Sequence, residues 1–123
     1  MDWMEIIRAH VMWKQRLTAL VAGKSTETLD PDVIGLDNRC ALGQWIYGEG
    51  ASMAHLPRYE EVRELHAQFH RNAADVVRLY AAGRLDEAEA LLGGAYSKLS
   101  EKLKHRIIGL SQQVKTADGI PRF

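Results

Sequence analysis

The chain has 123 residues, enough for one hydrophobic core and too few for two. Its 46 % hydrophobic and 26 % charged content is that of an ordinary globular protein, and 16 basic residues balance 16 acidic ones with no long block of one sign. That balance excludes the basic footprint of a nucleic-acid binder or of a protein held on an anionic membrane, and no apolar run is long enough to cross a bilayer.

The start, Met1-Asp2-Trp3-Met4-Glu5, lacks the basic and apolar regions of a signal peptide. Cys40 is the only cysteine, so no internal disulfide can form, and a reducing cytoplasmic compartment is expected.

From Asp2 to Ala22 the residues Trp3, Ile6, Ile7, His10, Trp13, Leu17, Leu20 and Val21 recur at helical spacing. His10 stands in the middle of this stripe, and Gly23 is the expected stop. Lys24 to Asp37 carries Ser-Thr, Asp-Pro-Asp and Gly signals and reads as loop. Loops of this length are uncommon and tend to be functional or mobile. Asp37 or Asn38 then caps a short helix, Cys40 to Tyr47, which places Cys40 in its first turn. Gly43 costs that helix about 1 kcal/mol relative to alanine, which predicts that another backbone comes close there.

Pro57 opens the next helix, running to about Ala82. Its stripe is Tyr59, Val62, His66, Phe69, Ala73, Val76 and Tyr80, spaced alternately three and four apart as in the seam of an antiparallel bundle. Gly83 closes it. Asp86 with Glu89 resembles a capping box and starts a helix reaching about Val114. There the stripe reads Ala88, Leu91 (with Leu92), Ala95, Leu99, Leu103, Ile107 (with Ile108), Leu110 and Val114, and Gly93-Gly94 marks either a kink or a close crossing. The expected architecture is all-α: three long helices and one short, cysteine-bearing helix forming a single domain over residues 1–115. Residues 116–123 are expected to form a flexible tail.

Two stripe positions are histidines, and an imidazole inside a bundle needs a partner for each ring nitrogen. His66 and His70 stand four apart and so share one helix face. Such a pair is often no more than two ordinary helix histidines, but His10 and Cys40 complete a set of four. Three imidazoles and a thiolate suit tetrahedral Zn²⁺, while Mg²⁺ and Ca²⁺ want oxygen; copper competes on affinity, so zinc also reflects availability. Four protein ligands leave no open position for a catalytic water, and no enzyme is expected. Ala67 stands where a zinc protease of the His-Glu-x-x-His type carries glutamate.

Trp13, Leu42, Trp45 and Phe69 read as core. His55 and His105 read as solvent-facing. Asp37 or Glu64 is a candidate to orient a ligand imidazole, with no choice between them.

His10-Val11-Met12-Trp13, Cys40-Ala41-Leu42-Gly43-Gln44-Trp45 and His66-Ala67-Gln68-Phe69-His70, in that order, resemble the chemoreceptor zinc-binding domain of bacterial signalling proteins. Each piece is weak alone; together they are specific. The resemblance implies that His10, Cys40, His66 and His70 hold zinc. It further implies sensing of zinc itself, or of oxidants such as hypochlorous acid that attack the zinc-bound cysteine. A homodimer is expected on the same ground. Members are often joined to a methyl-accepting chemotaxis region or to a diguanylate cyclase, which makes a chemoreceptor or a cyclase of cyclic di-GMP signalling the expected output partner. This sequence carries neither region. The rival expectation is a structural zinc module that recruits a partner without redox switching.

Overall fold

The structure is a computed structural model and describes residues 2–118. Helix α1 spans Trp3–Val21, with Asp2 as N-cap accepting a hydrogen bond from the Glu5 amide at 3.1 Å. Gly23 lies just past the end of α1 and Gly83 just past that of the long central helix; both have positive φ, which only glycine adopts without strain. The segment after Gly23, expected to be loop throughout, contains a one-turn helix α2, Pro31–Ile34. Asp30 caps it and Pro31 occupies its first position, a pairing suited to helix starts.

Helix α3 spans Ala41–Tyr47, and a 3-10 turn, Glu49–Met53, leads into α4, Pro57–Ala81. Helix α5, Leu85–Leu91, continues through a π-turn at Leu92–Tyr96 into α6, Ser97–Asp118. The expected capping box is absent: α5 begins at Leu85, its N-cap Arg84 makes no side-chain capping bond, and Asp86 and Glu87 lie inside the first turn. There their charges still favour the helix N-terminus. Helix α6 runs past the expected end near Val114, so the predicted tail falls partly on its last turn and otherwise, from residue 119, outside the described residues.

The protein is an all-α bundle built around α4, which packs on α1, α2, α3, α5 and α6. Its stripe is buried as expected: Val62, Phe69 and Val76 are fully enclosed, with Tyr59, Ala73 and Val77 nearly so. Helix α6 runs antiparallel to it. Arg58 N–H donates to Gln113 Oε1, Glu61 pairs with Arg106, and Phe69 lies on Tyr96 with ring centroids 5.2 Å apart. Helix α1 runs parallel to α4, because residues 22–56 carry the chain back to its starting end. Trp3 and Tyr59 both flank Trp45, whereas His10 meets His66 and Phe69 further along.

Gly93-Gly94 is not a close crossing, since a Cβ on either would touch nothing within 4 Å. The pair sits in the π-turn, where weak helix formers allow one extra residue per turn. Ser97 Oγ donates to the Leu92 carbonyl at 2.7 Å and satisfies it. The extra residue rotates the apolar face, so Leu92 and Tyr96 are buried while Ala95 is exposed.

Candidate metal centre

The four candidate ligands are delivered by three local devices. His66 and His70 lie one turn apart on the inner face of α4, with Phe69 between them filling the core. His10 comes from the middle of α1, 7 % exposed. Cys40 lies one residue before α3 rather than in its first turn. It is the N-cap, and its Sγ accepts the Gly43 amide at 3.4 Å. A helix can start there only because position 43 has no side chain. A Cβ on Gly43 would stand 1.8 Å from the Asp37 carbonyl oxygen, which is the close backbone approach expected of that glycine.

The donors converge. Cys40 Sγ lies 3.1 Å from His66 Nε2 and 3.6 Å from His70 Nε2, and the two Nε2 atoms are 2.9 Å apart. Including His10, all four ligand atoms lie within 4.8 Å of one another. A tetrahedron with zinc–nitrogen and zinc–sulfur bonds of ordinary length has edges of about 3.3–3.6 Å. The residues therefore fit a tetrahedral ion of zinc size.

Protonation follows from the partners. His10 Nδ1 donates to the Ile6 carbonyl at 2.7 Å and His70 Nδ1 to the Ile34 carbonyl at 2.9 Å. A carbonyl only accepts, so the proton sits on Nδ1 and the lone pair on Nε2 faces the cluster. Backbone carbonyls, not the carboxylates considered from sequence, orient these two rings. Asp37 is taken by the Tyr47 hydroxyl, and Glu64 by Gln68 and neighbouring arginines. His66 is fully buried, and its Nδ1 has no hydrogen-bond partner. An orphaned buried polar atom costs about 1–3 kcal/mol, a cost that ligation through Nε2 would offset.

Burial sets the charges. It lowers the pKa of His10 to about 4, the neighbouring His70 adding to the effect. Burial and the adjacent imidazoles depress His66 further, and burial lowers His70 as well. All three rings are neutral at physiological pH, the form that binds metal. Desolvation pushes the Cys40 thiol up, more than its amide hydrogen bonds pull it down. The helix N-terminus thus supports a thiolate without creating one, and the opposite charge of a cation would have to complete the deprotonation.

His55 and His105 are exposed and outside the cluster, as expected. The Ile6 and Ile34 carbonyls and helix α2, which supplies Ile34, are functional parts that the sequence reading missed. Asp30-Pro31 was the available signal for α2.

The profile of the chemoreceptor zinc-binding domain matches residues 10–77, a span containing all four candidate ligands. No significant match was found among curated proteins or among solved structures. More than half of the chain lies within the matched span, and the chain belongs to the chemoreceptor zinc-binding domain family, whose members bind zinc and serve in signalling.

Proposed function

We propose that His10, Cys40, His66 and His70 hold one Zn²⁺ per chain and that the domain senses zinc or oxidants through Cys40. The observation that carries this reading is the convergence within 4.8 Å of one thiol and three imidazoles, two of them fixed in tautomer by backbone carbonyls. Bound zinc would supply the positive charge that keeps Cys40 as thiolate at neutral pH.

The chain's own residues do the rest. Ile6 and Ile34 hold two rings in register, Gly43 N–H steadies the sulfur, and the Trp3–Trp45–Tyr59 cluster anchors α3. Cys40 is the one candidate ligand that is only partly buried. Hypochlorous acid would take two electrons from it, Cys–S⁻ + HOCl giving Cys–SOH and Cl⁻. With no second cysteine in the chain, the sulfenic acid cannot be trapped as an internal disulfide. The oxidised sulfur is a poorer ligand, so α3 is released while the three imidazoles stay.

The output proposed is a chemoreceptor or diguanylate cyclase partner in the cytoplasm. A second copy of the chain would cover the outer face of α1, where Met4, Val11 and Met12 are exposed. The apolar stripe of α6 is unavailable for this, because Leu103, Ile107 and Leu110 are buried in the chain's own core. Among the described residues no helix is long and apolar enough to cross a membrane.

Metal analysis of the purified protein beside Cys40→Ser tests the zinc reading: one zinc per chain is expected, held more weakly in the variant. Absence of zinc from both would end it. Titration with hypochlorous acid, followed by mass spectrometry, tests the switch. Oxidation of the exposed methionines before Cys40 would leave the structural module, with zinc but no redox response.

A further inference from the structure

Two cavities reach Cys40, and they are oppositely charged. One, of about 350 Å³, lies between the start of α1 and the start of α3. It is lined by the exposed Asp2 and Glu5, the buried Ile6 and His10 and the half-buried Cys40. The other, of about 390 Å³, lies on the side of α2, where Arg16 and Arg39 join Trp13, Cys40 and His70.

We infer that the cleft between α1 and α3 is the route by which a divalent cation enters and leaves the buried cluster, with Asp2 and Glu5 as its electrostatic entrance. This rests on the reading that the cluster binds zinc and adds the path to it. His10 makes the argument more than one of two acidic side chains. It lines this cleft, is 93 % enclosed by its 7 % exposure, and its Nε2 has no hydrogen bond, Nδ1 alone being occupied by Ile6. A hydrated ion moving inward therefore passes two carboxylates and then meets an unpartnered imidazole and the cysteine sulfur.

A cation loses hydration on the way in, and carboxylates at the mouth offset part of that cost and raise its local concentration. Arg8 pairs with Glu5 but is itself largely exposed, so solvent screens the neutralisation. At the other cavity Arg39 makes no ion pair among the described residues, and Arg16, although paired with Glu27, keeps its guanidinium over Trp13. Asp30, the carboxylate lining that side, caps α2 as Asp2 caps α1, but there it is outnumbered by the two arginines. That approach is therefore the less favourable one for a dication.

The test is stopped-flow loading of the metal-free protein with Co²⁺, whose thiolate absorption band reports directly on Cys40, followed by release to a chelator. The variants are Asp2→Asn with Glu5→Gln, compared with Arg39→Gln. Asparagine caps helices as well as aspartate does, so α1 keeps its start, and circular dichroism checks this. At low salt the double variant should load several-fold more slowly, release the metal more slowly by a similar factor, and keep Kd within about twofold. The difference should fade at high salt. Arg39→Gln should change loading by less than twofold.

Unchanged loading in the double variant would overturn the route, as would a Kd weakened in step with loading while release stays the same. A larger acceleration by Arg39→Gln than the slowing by the double variant would place the route in the basic cavity. Failure of the wild-type protein to bind Co²⁺ or Zn²⁺ would instead overturn the zinc reading beneath it.

Discussion

At the scale of single residues the centre is prepared unequally. The three imidazoles are held neutral by burial, and those of His10 and His70 are fixed in tautomer by carbonyls, whereas the Cys40 thiol is pushed up and keeps its proton at neutral pH. Zinc binding near pH 7 should thus release about one proton per chain, all of it from Cys40. Calorimetry in buffers of different ionisation enthalpy measures this number. Apparent affinity should rise about tenfold per pH unit in that range, since one thiol must ionise per metal bound. In Cys40→Ser both the proton release and the pH slope should disappear. His10→Ala, His66→Ala and His70→Ala should each weaken binding by at least tenfold, while His55→Ala and His105→Ala should leave it unchanged. Loss of zinc in His105→Ala with retention in His10→Ala would refute the ligand set.

At the scale of elements, α3 has seven residues and is too short to persist by itself. It is held by packing of Leu42, Trp45 and Ile46, by the Tyr59 hydroxyl donating to the Ile46 carbonyl, and by the contact of Gly43 with residues 37–38. Removing zinc should loosen residues 37–50 before α1, α4 or α6. Hydrogen exchange with and without chelator reads this, and equal protection in both states would contradict it.

Two glycine substitutions should behave in opposite ways. Gly43→Ala drives a methyl into the Asp37 carbonyl and should cost several kcal/mol, displacing Cys40 with it. Gly94→Ala meets open space and should be neutral or stabilise by up to about 1 kcal/mol. Chemical denaturation of the two variants checks both.

At the scale of the whole molecule, the buried histidines link stability to pH. Their folded-state pKa values lie below their ordinary 6.5. Below about pH 6.5 the unfolded chain therefore takes up protons that the native chain refuses. The metal-free protein should keep its full stability above that pH and lose it progressively as pH falls toward the depressed values. For His10 alone, the fall from 6.5 to about 4 corresponds to about 3 kcal/mol at roughly 1.4 kcal/mol per pH unit. Urea titrations of metal-free protein between pH 4 and 8 measure the slope, and a flat profile would refute it. Saturating zinc should raise the melting temperature at neutral pH, because it binds only the native arrangement.

Much of this was legible in the chain. Periodicity located α1 and α4, residue chemistry selected the four candidate metal ligands, and the need for a small residue at Gly43 followed from its place in a short helix. Those properties are local or compositional, so one dimension suffices. Beyond Gly93-Gly94 the stripe of Leu103, Ile107 and Leu110 is buried as read, and only Ala95 was taken in place of Tyr96, because the π-turn changes the helical phase there, a choice made when Tyr96 packs on Phe69 rather than by local propensity. The parallel course of α1 and α4 depends on how residues 22–56 cross the bundle. The carbonyl of Ile34 reaches His70 only because α2 docks on α4. The sequence by itself determined the helices and the donor types; the tertiary structure decided which backbone groups orient those donors, which cavities reach them and how burial sets their charge. Those properties arise from solvent exclusion and from contacts between distant segments, which no local pattern of residues contains.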